Sequence, residues 1–310
     1  MHRQSFKKNK PSIIFWIFII LAIPLTIGII SYTSGYKFDP KTHSIITTSV
    51  ISITTLPKDV AIMLNGKTEQ VTTPYINNSV LPGEYSIAIN KEGYRPWKKS
   101  VSVLKGRSVL FPDVLLFLDT MPIPQSSSAK LTSPQWSELP TDLYPYYKEQ
   151  GWEQPQTVLM LQGPNDLLVD QQKQISYILP SLSSFHPIRK IDGTITSAQW
   201  NEDESVLLYT VNSELWIYNR QAKTETQKFV LLTRQSTALF EAVWHPSGNY
   251  IFFTNQSELY AIELDSRDHR QTWKLATMSN IKNLHVYPSG NRLLFESDSK
   301  SYSLSLYTTR

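Results

Sequence analysis

The sequence predicts a mainly β protein in three parts: an apolar N-terminal helix, a small β-sandwich, and a propeller-like array of three to four four-stranded blades. Three observations support this prediction. Residues 13–30 carry no charge, residues 44–118 form a run of short alternating segments, and a repeat of about 44 residues fills much of the C-terminal half. With 310 residues, 41% of them hydrophobic, the chain can build more than one core.

The N-terminal segment has the length and composition of a transmembrane helix. IIFWIFIILAIPLTIGII, residues 13–30, has 18 residues without a charge, and as a helix it extends roughly 27 Å. Because this length approaches the thickness of a bilayer core, we expect a membrane helix over residues 13–34. A cleaved signal peptide is the alternative, with TSG at 33–35 as a weak cleavage site.

Charges near this helix predict its orientation. Residues 1–12 hold four basic residues and no acidic residue, and basic flanks favour the cytoplasmic side. We therefore expect a cytoplasmic tail over 1–12, a single pass through the cell membrane, and an extracytoplasmic bulk. A nucleic-acid partner is not expected, because no concentrated basic face follows. The absence of cysteine excludes disulfides and thiolate metal sites.

Residues 44–118 read as about seven short strands. The segment SIITTSVISITTL, residues 44–56, is rich in β-branched residues, and Asn65-Gly66 is a strong hairpin signal. Tyr85, Ile87 and Ile89 alternate with polar residues, as in a half-buried strand. A turn at Lys105-Gly106 separates the last two predicted strands. No helical pattern interrupts the run, which predicts a small β-sandwich.

Several of these segments, in this order, resemble the PEGA domain family. They are Pro57, IMLNG, Thr73-Pro74, LPGEYSIAI, KEGYRPW and VSV, within residues 50–117. The resemblance implies a surface-exposed, transthyretin-like sandwich of the kind found in prokaryotic envelope proteins. It implies no catalytic residues.

The segment KEGYRPW, residues 91–97, allows two interpretations. In the structural interpretation, Tyr85 packs in the core, Tyr94 caps the end of the sandwich, and Trp97 stays on the surface. In the functional interpretation, Tyr94, Arg95 and Trp97 form a ligand surface on which Trp97 stacks a sugar ring, since aromatic faces suit such contacts. The structural interpretation is favoured.

A linker and a set of repeats follow the sandwich. Residues 119–156 contain six prolines and a run of three serines, which is typical of an extended linker. The segments 197–219, 241–263 and 283–305 are three similar copies, with Trp200 and Trp244 44 residues apart, and 159–179 is a weaker copy. Such a period predicts propeller blades over residues 157–310.

The repeats resemble the blades of TolB-type and related WD-like propellers. WHPSGNYIFF and YPSGNRLLF match the hairpin pattern W-S-P-D-G-x-x-L-x-F of those families, with Pro-Ser-Gly in the inner turn. The last copy stops after its third strand. We therefore predict that the aromatic segment from Leu143 to Trp152 supplies or covers the missing strand; otherwise the array is an open arc closed by a partner or a second copy.

The sequence contains no recognisable catalytic, cofactor-binding or metal-binding motif. His-Glu-x-x-His, Gly-x-Ser-x-Gly, Gly-x-Gly-x-x-Gly and the phosphate loop are all absent. The acidic run NEDES, residues 201–205, is interpreted as a solvated turn, with calcium binding as the alternative. His245 is interpreted as a turn residue rather than a ligand.

These features predict a non-catalytic binding or scaffold protein of the prokaryotic cell envelope, without a cofactor. Its expected partners are the lipid bilayer and an envelope protein or cell-wall glycan. Two alternatives remain: an envelope enzyme acting on glycan or peptide, and a membrane-tethered sensor.

Overall fold

A computed structural model describes residues 13–33, 35–39, 43–125, 136–137, 144–149, 157–159, 166–170, 175–180, 188–193 and 195–308. The predicted cytoplasmic tail, residues 1–12, lies outside these ranges, as does most of the predicted linker.

Helix α1 runs from Ile13 to Thr33, over the segment predicted to cross the membrane. Twelve of its large apolar side chains are each more than half exposed, and they lie all along the helix from Ile13 to Ile30. Within the described part of the chain, no helix is both long and apolar enough to cross a membrane. The predicted transmembrane span is therefore not supported by the structure.

A short antiparallel hairpin follows the helix, formed by β1 (Tyr36–Asp39) and β2 (Ser44–Thr47). The predicted strand over 44–56 is interrupted at Thr48, whose backbone N–H donates to the Gly35 carbonyl at 2.8 Å. This bond turns the chain from the hairpin into the first strand of the sandwich. It also places the hairpin against the sandwich, directly after α1.

Seven strands between Ser49 and Leu115 form the sandwich, which confirms the predicted strand number. One sheet has the order β6-β3-β9, with β3 and β9 parallel, and the other has the order β5-β4-β7-β8. The strands are β3 (Ser49–Leu56), β4 (Ala61–Leu64), β5 (Lys67–Gln70), β6 (Tyr75–Val80), β7 (Gly83–Asn90), β8 (Trp97–Val103) and β9 (Ser108–Leu115).

Local sequence signals in the sandwich act as predicted, with one difference. Asn65 and Gly66 connect β4 to β5 with positive φ angles of 49° and 79°, as a tight hairpin requires. Gly106 also has a positive φ, but β8 and β9 lie in different sheets, so the turn at Lys105-Gly106 is a corner between sheets rather than a hairpin. Ile51, Ile53, Ile62, Ile87 and Ile89 are fully buried between the sheets.

The C-terminal repeats form four antiparallel sheets, named I to IV in chain order. Sheet I has the order β11-β12-β13-β14-β15, sheet II β16-β17-β18-β19, sheet III β20-β21-β22-β23, and sheet IV β10-β26-β25-β24. Strand and helix bounds through sheet II are β10 (Ile123–Pro124), β11 (Trp136–Ser137), α2 (Tyr144–Glu149), β12 (Thr157–Leu159), β13 (Asp166–Asp170), β14 (Ile175–Leu179), β15 (Arg189–Asp192), β16 (Ile195–Trp200), β17 (Val206–Val211), β18 (Glu214–Asn219), α3 (Glu225–Lys228) and β19 (Phe229–Arg234).

The remaining strands complete sheets III and IV. They are β20 (Glu241–Trp244), β21 (Tyr250–Thr254), β22 (Glu258–Glu263), β23 (Thr272–Thr277), β24 (Lys282–Val286), β25 (Arg292–Ser297) and β26 (Lys300–Ser305). The predicted inner turns are present: Pro246-Ser247-Gly248 joins β20 to β21, and Pro288-Ser289-Gly290 joins β24 to β25. The weak copy over 159–179 contributes the antiparallel strands β12, β13 and β14 of sheet I, which has five strands.

Sheet IV receives its outer strand from the chain that precedes the repeats. β10 pairs antiparallel with β26, with Ile123 opposite Ser303, and the Gln125 backbone N–H donates to the Ser301 carbonyl at 2.8 Å. The prediction that an upstream segment completes the last repeat is correct in kind. The predicted segment, residues 143–152, was wrong, because the strand comes from residues 123–124 and residues 144–149 form α2. Residues 143 and 150–152 lie outside the described residues.

Neighbouring sheets pack through opposite faces of their strands. In β21, Ile251 and Phe253 belong to the core shared with sheet II, whereas Tyr250 and Phe252 belong to the core shared with sheet IV. That second core is continuous with the interior of the sandwich. The sandwich therefore packs directly against sheets III and IV.

The far face of sheet IV is more polar than the faces buried between sheets. Leu293 and Phe295 of β25 are fully buried in the shared core. On the opposite face, Leu294 has His285 and Ser303 as its register neighbours, and His285 is exposed. Leu294 and Ser303 are themselves buried, at 9% and 5% exposed, so this face is covered at its centre and open at His285.

Candidate functional site at the junction between the sandwich and sheets III and IV

The three residues predicted as a ligand surface lie where the sandwich meets the repeat sheets. The Tyr94 hydroxyl is 2.9 Å from the Thr308 hydroxyl, and the Arg95 guanidinium lies 2.9 Å from the Asp119 carboxylate. Arg95 also donates to the Lys274 carbonyl in sheet III. The structure thus brings the predicted residues together, but their partners belong to the same chain.

Trp97 is not on the surface. Its side chain is 1% exposed, its ring lies edge-to-face with Phe111 at 5.1 Å, and its indole N–H donates to Glu263 at 3.0 Å. By contrast, Tyr85 is half-buried at the margin of the core, and its hydroxyl donates to the Leu81 carbonyl at 3.0 Å. The predicted placement of Trp97 was wrong, because the surface it would have exposed is covered by sheet III.

A buried ion pair forms the centre of this junction. The Lys99 ammonium lies 2.6 Å from the Glu263 carboxylate, and the two side chains are 0% and 3% exposed. Lys99 also donates to the carbonyl oxygens of Asp265 and Arg267, both at 2.9 Å, and to that of His269. An ammonium out of water needs this many partners, because an unpaired buried charge is very costly.

The sequence analysis missed Lys99, although a signal was present. The burial of β8 alternates strictly, with Trp97, Lys99, Val101 and Val103 facing inward. The three apolar members of this set mark the inward face, so Lys99 occupies a core position. A lysine at such a position predicts a buried anionic partner, but the alternation cannot say that this partner is Glu263, 164 residues further along the chain.

The segment between β22 and β23 runs along the edge of β8 and covers it. Asp268 accepts a bond from the Ser100 backbone N–H at 2.9 Å, and the Gln271 side chain donates to the Lys98 carbonyl at 2.5 Å. These contacts occupy an edge strand of the sandwich that would otherwise present unpaired backbone groups. The junction is therefore also held by side chains of this segment that bond to the backbone of β8.

A cluster of aromatic side chains also contributes to the contact between the sandwich and sheets III and IV. The ring of Phe117 lies 5.6 Å from Tyr250, 5.9 Å from Phe252 and 5.2 Å from Trp273, in edge-to-face arrangements. The Tyr250 hydroxyl accepts a bond from the Leu115 backbone N–H at 2.9 Å. Burial raises the pKa of Tyr250, so its hydroxyl remains protonated at any physiological pH.

A cavity of about 300 Å³ opens beside the junction. The charged and amide side chains in its lining are Asp113, Asn249, Glu263, Asp265 and Arg267. The Arg267 guanidinium stacks 4.0 Å from the Phe111 ring and pairs with Asp265 at 2.5 Å. Burial raises the pKa of Asp265, but the hydrogen bonds from Arg267 outweigh it, and the net pKa lies below its ordinary value.

The carboxylates around this cavity are poorly placed for acid–base catalysis. Glu263 is held by Lys99, and Asp265 is held by Arg267. Asp113 remains, with the Asn249 amide 3.4 Å from its carboxylate. Among the described residues of this cavity, two unpaired carboxylates, as glycoside cleavage requires, are therefore not found.

His245 is a buried structural residue at the contact between sheets III and IV. One ring nitrogen lies 3.0 Å from the Gly290 carbonyl, and the other lies 2.8 Å from the Ser247 hydroxyl. Burial lowers the pKa of His245 to about 4, so the imidazole is neutral at pH 7. A side chain at Gly290, whose φ is +72°, would come within 2.6 Å of this ring, which explains the glycine.

The acidic run at 201–205 is a turn whose side chains bond within it. The Asp203 carboxylate accepts from the Ser205 hydroxyl at 2.6 Å, and Asn201 accepts from the Val206 backbone N–H at 2.9 Å. The hydrogen bonds from Ser205 hold the pKa of Asp203 below its usual value. Among the described residues, no group of three or more potential ligands is placed to hold a metal ion.

Comparison with known proteins identifies one segment of the chain. Residues 48–113 match the family model described as the PEGA domain, which supports the assignment made from sequence over 50–117. The match covers about a fifth of the chain. No curated protein matches the chain.

Among solved structures, a chain in the crystal structure of a mitotic checkpoint complex is similar at 12% identity and a TM-score of 0.40. The similarity covers 49% of this chain and 52% of that one, so the chain spans about half the length of that relative. A likeness at this level is too weak to support an argument about fold or function.

Proposed function

We propose that the protein is a membrane-anchored, extracytoplasmic binding or scaffold protein of the prokaryotic cell envelope, without catalytic activity of its own. The observation that carries the proposal is the contrast between α1 and the body. Twelve large apolar side chains of α1 are more than half exposed, whereas the large apolar side chains of the sandwich and of sheets II to IV are mostly buried.

The anchoring role depends on the whole helix. At about 1.5 Å per residue, the 21 residues of α1 extend roughly 32 Å, which is comparable with the hydrocarbon core of a bilayer. No helix among the described residues meets the requirements of a membrane span, so the proposal rests on the uncharged run at residues 13–30 and on the basic residues before it. Those basic residues favour a cytoplasmic N-terminus and an extracytoplasmic body.

We further propose that sheets I to IV form an open, propeller-like arc. The regular sequence period, the Pro-Ser-Gly turns and the packing of successive sheets support this interpretation. Propellers host many functions, so this interpretation adds no activity.

The junction supports a scaffold rather than a moving device. A buried ion pair, side-chain hydrogen bonds to the backbone of β8 and a shared aromatic core hold the sandwich on sheets III and IV. A body fixed in this way would present its outer surfaces in one orientation relative to the anchor. The proposed partners are an envelope protein or a cell-wall glycan.

The alternative of an envelope enzyme rests on the junction cavity. Asp113 is its one carboxylate for which the described residues provide no ion pair. Hydrolysis of cell-wall glycan or peptide by the purified chain, lost in Asp113→Asn, would favour the enzyme. Unchanged hydrolysis in that variant would assign the activity to a contaminant.

Fractionation of cells tests the anchoring role. The intact chain should stay with membranes through alkaline extraction, and Leu21→Arg should release it while the matched Leu21→Ile should not, because a charge at the centre of a membrane helix is costly. A periplasm-active reporter fused after Arg310 should be active. Release of the intact chain by alkali, or activity of a cytoplasmic reporter only, would overturn the proposal. If the chain stays anchored, capture of one envelope protein or glycan by the intact body would identify the partner.

A further inference from the structure

The two-stranded hairpin after α1 has its apolar face directed outward. Phe38 lies directly opposite Ile45, and these side chains are 63% and 69% exposed. Tyr36, on the same face, is 46% exposed. The other face carries Lys37, which is half-buried and donates to the Ser79 hydroxyl of the sandwich. This arrangement is the reverse of that of an ordinary surface hairpin, whose apolar side chains face the protein.

Two further segments of the sandwich lie at the same place. The Thr48 side chain donates to the carbonyls of Gly35 and Asn78, at 3.0 and 3.1 Å. The Ser49 hydroxyl donates to the Leu104 carbonyl at 2.7 Å. The turn at 104–107 and the segment 78–81 are thereby joined to the hairpin; together, these three segments are called the hairpin end.

The hairpin end exposes both apolar and basic side chains. Leu104 is 63% exposed and Leu81 is 47% exposed, and Lys105 and Arg107 are exposed on the same turn as Leu104. Exposed aromatic and aliphatic side chains beside lysine and arginine are typical of surfaces that enter the boundary between lipid headgroups and acyl chains.

The position of the hairpin end relative to α1 specifies its partner. Gly35 is the second residue after Thr33, the last residue of the helix, and its carbonyl is bonded to Thr48. Whatever surface surrounds the C-terminal end of α1 is therefore also the nearest surface to Phe38, Ile45 and the 104–107 turn.

We propose that the hairpin end rests on the outer surface of a bilayer that contains anionic lipid, with Phe38 and Ile45 in the interfacial layer and Lys105 and Arg107 against the headgroups. This inference rests on the proposed membrane anchoring. It adds that the body has one fixed orientation on the membrane, with the junction and the repeat sheets directed away from the lipid.

The cysteine-free sequence allows a direct test. Single cysteines at Phe38, Ile45, Leu21 and Val71 would be labelled with an environment-sensitive fluorophore in the full chain, reconstituted in nanodiscs with anionic lipid. Val71 is the matched control, because it is 69% exposed like Ile45 but lies at the opposite end of the sandwich, where Thr73 bonds to Lys58. A water-soluble collisional quencher would report the exposure of each label.

We expect quenching at positions 38 and 45 to be several-fold weaker than at 71, and quenching at 21 to be weaker still. Shielding at 21 with free quenching at 38 and 45 would overturn this inference and leave the anchor intact. Free quenching at 21 would overturn the anchor, and with it the orientation.

A second pair of variants tests the charge preference. Combined Lys105→Glu and Arg107→Glu should increase quenching at position 38 in anionic nanodiscs, whereas combined Lys58→Glu and Lys67→Glu, which removes the same charge elsewhere, should not. Equal effects of the two pairs would show that total charge, not the hairpin end, determines the contact.

Discussion

The two ends of the sandwich break opposite rules of protein surfaces. At the junction, charged side chains are buried: Lys99 and Glu263 are 0% and 3% exposed. At the hairpin end, apolar side chains are exposed: Phe38 and Ile45 are 63% and 69% exposed. The buried charges pair with each other and with carbonyl groups of the same chain. The described residues leave Phe38 and Ile45 mostly exposed. The difference indicates that one end is internal to the protein and the other faces an external partner.

The same difference explains why a single motif was hard to interpret. KEGYRPW ends at the first residue of β8, the strand that sheet III covers. A surface of aromatic and basic side chains suits a sugar, and it suits an internal protein contact equally. Both contacts use apolar ring faces with polar edges.

The largest expected effect is at the junction core. Trp97→Ala should lower the free energy of unfolding by about 4–5 kcal/mol, since the change removes a buried aromatic ring and leaves Glu263 without one donor. Tyr85→Ala should cost clearly less, because Tyr85 is only half-buried. Chemical denaturation of both variants in detergent measures the difference. If Tyr85→Ala proved the more damaging, Trp97 would not be the anchor of the junction.

The ion pair gives the next effect. Lys99→Met should lower the free energy of unfolding by about 3–4 kcal/mol, because Glu263 would be left buried without its cation. The exposed neighbour provides the control, and Lys98→Met should change stability by less than about 0.5 kcal/mol. Combining Lys99→Met with Glu263→Gln should recover part of the loss. Purely additive losses in the double variant would mean that the two charges do not interact.

A smaller effect depends on pH and on His245. Its pKa is about 4 in the folded protein, below the ordinary value of 6.5, so the unfolded chain binds a proton more readily. The neutral ring therefore contributes about 3 kcal/mol that is fully present above pH 6.5 and is lost as the pH falls towards 4. Denaturation curves at pH 7.5 and 4.5 should differ by less in His245→Asn. An identical pH dependence in the variant would assign the acid sensitivity to other groups.

The smallest effect on stability is expected at the hairpin end. Phe38→Ser and Ile45→Ser should change the free energy of unfolding in detergent by less than about 0.5 kcal/mol, because exposed side chains contribute little to folding. In membranes, both variants should weaken the shielding of a label at Leu104→Cys. A large loss of stability would show that the hairpin packs within the protein and would remove the contrast between the two ends.

Periodic features were predicted well because each is local. Alternation in β7, the Asn65-Gly66 hairpin and the Pro-Ser-Gly turns all follow from side-chain direction and backbone preference over a few residues. The repeat at 44 residues predicted the sheets of the C-terminal half for the same reason, since each copy folds into the same unit.

Local sequence does not determine which upstream segment pairs with the last repeat. Both 123–124 and 143–152 precede the repeats, and only the path of the chain along the sandwich brings Ile123 beside Ser303. The aromatic segment was predicted as a strand because aromatic residues favour strands. Residues 144–149 instead form the short helix α2.

By itself, the sequence determined that the chain has an apolar helix, a PEGA-like run of seven strands and a set of β repeats, because periodicity and turn chemistry act within each element. Only the tertiary structure decided that Trp97 is buried, that Lys99 pairs with Glu263, and that Phe38 and Ile45 stay exposed. Burial depends on which surfaces meet, and Glu263 lies more than 160 positions from both Trp97 and Lys99 in the chain. A β strand presents the same alternation whether its outer face meets water, lipid or another sheet, so the partner of each face is a property of the assembled fold.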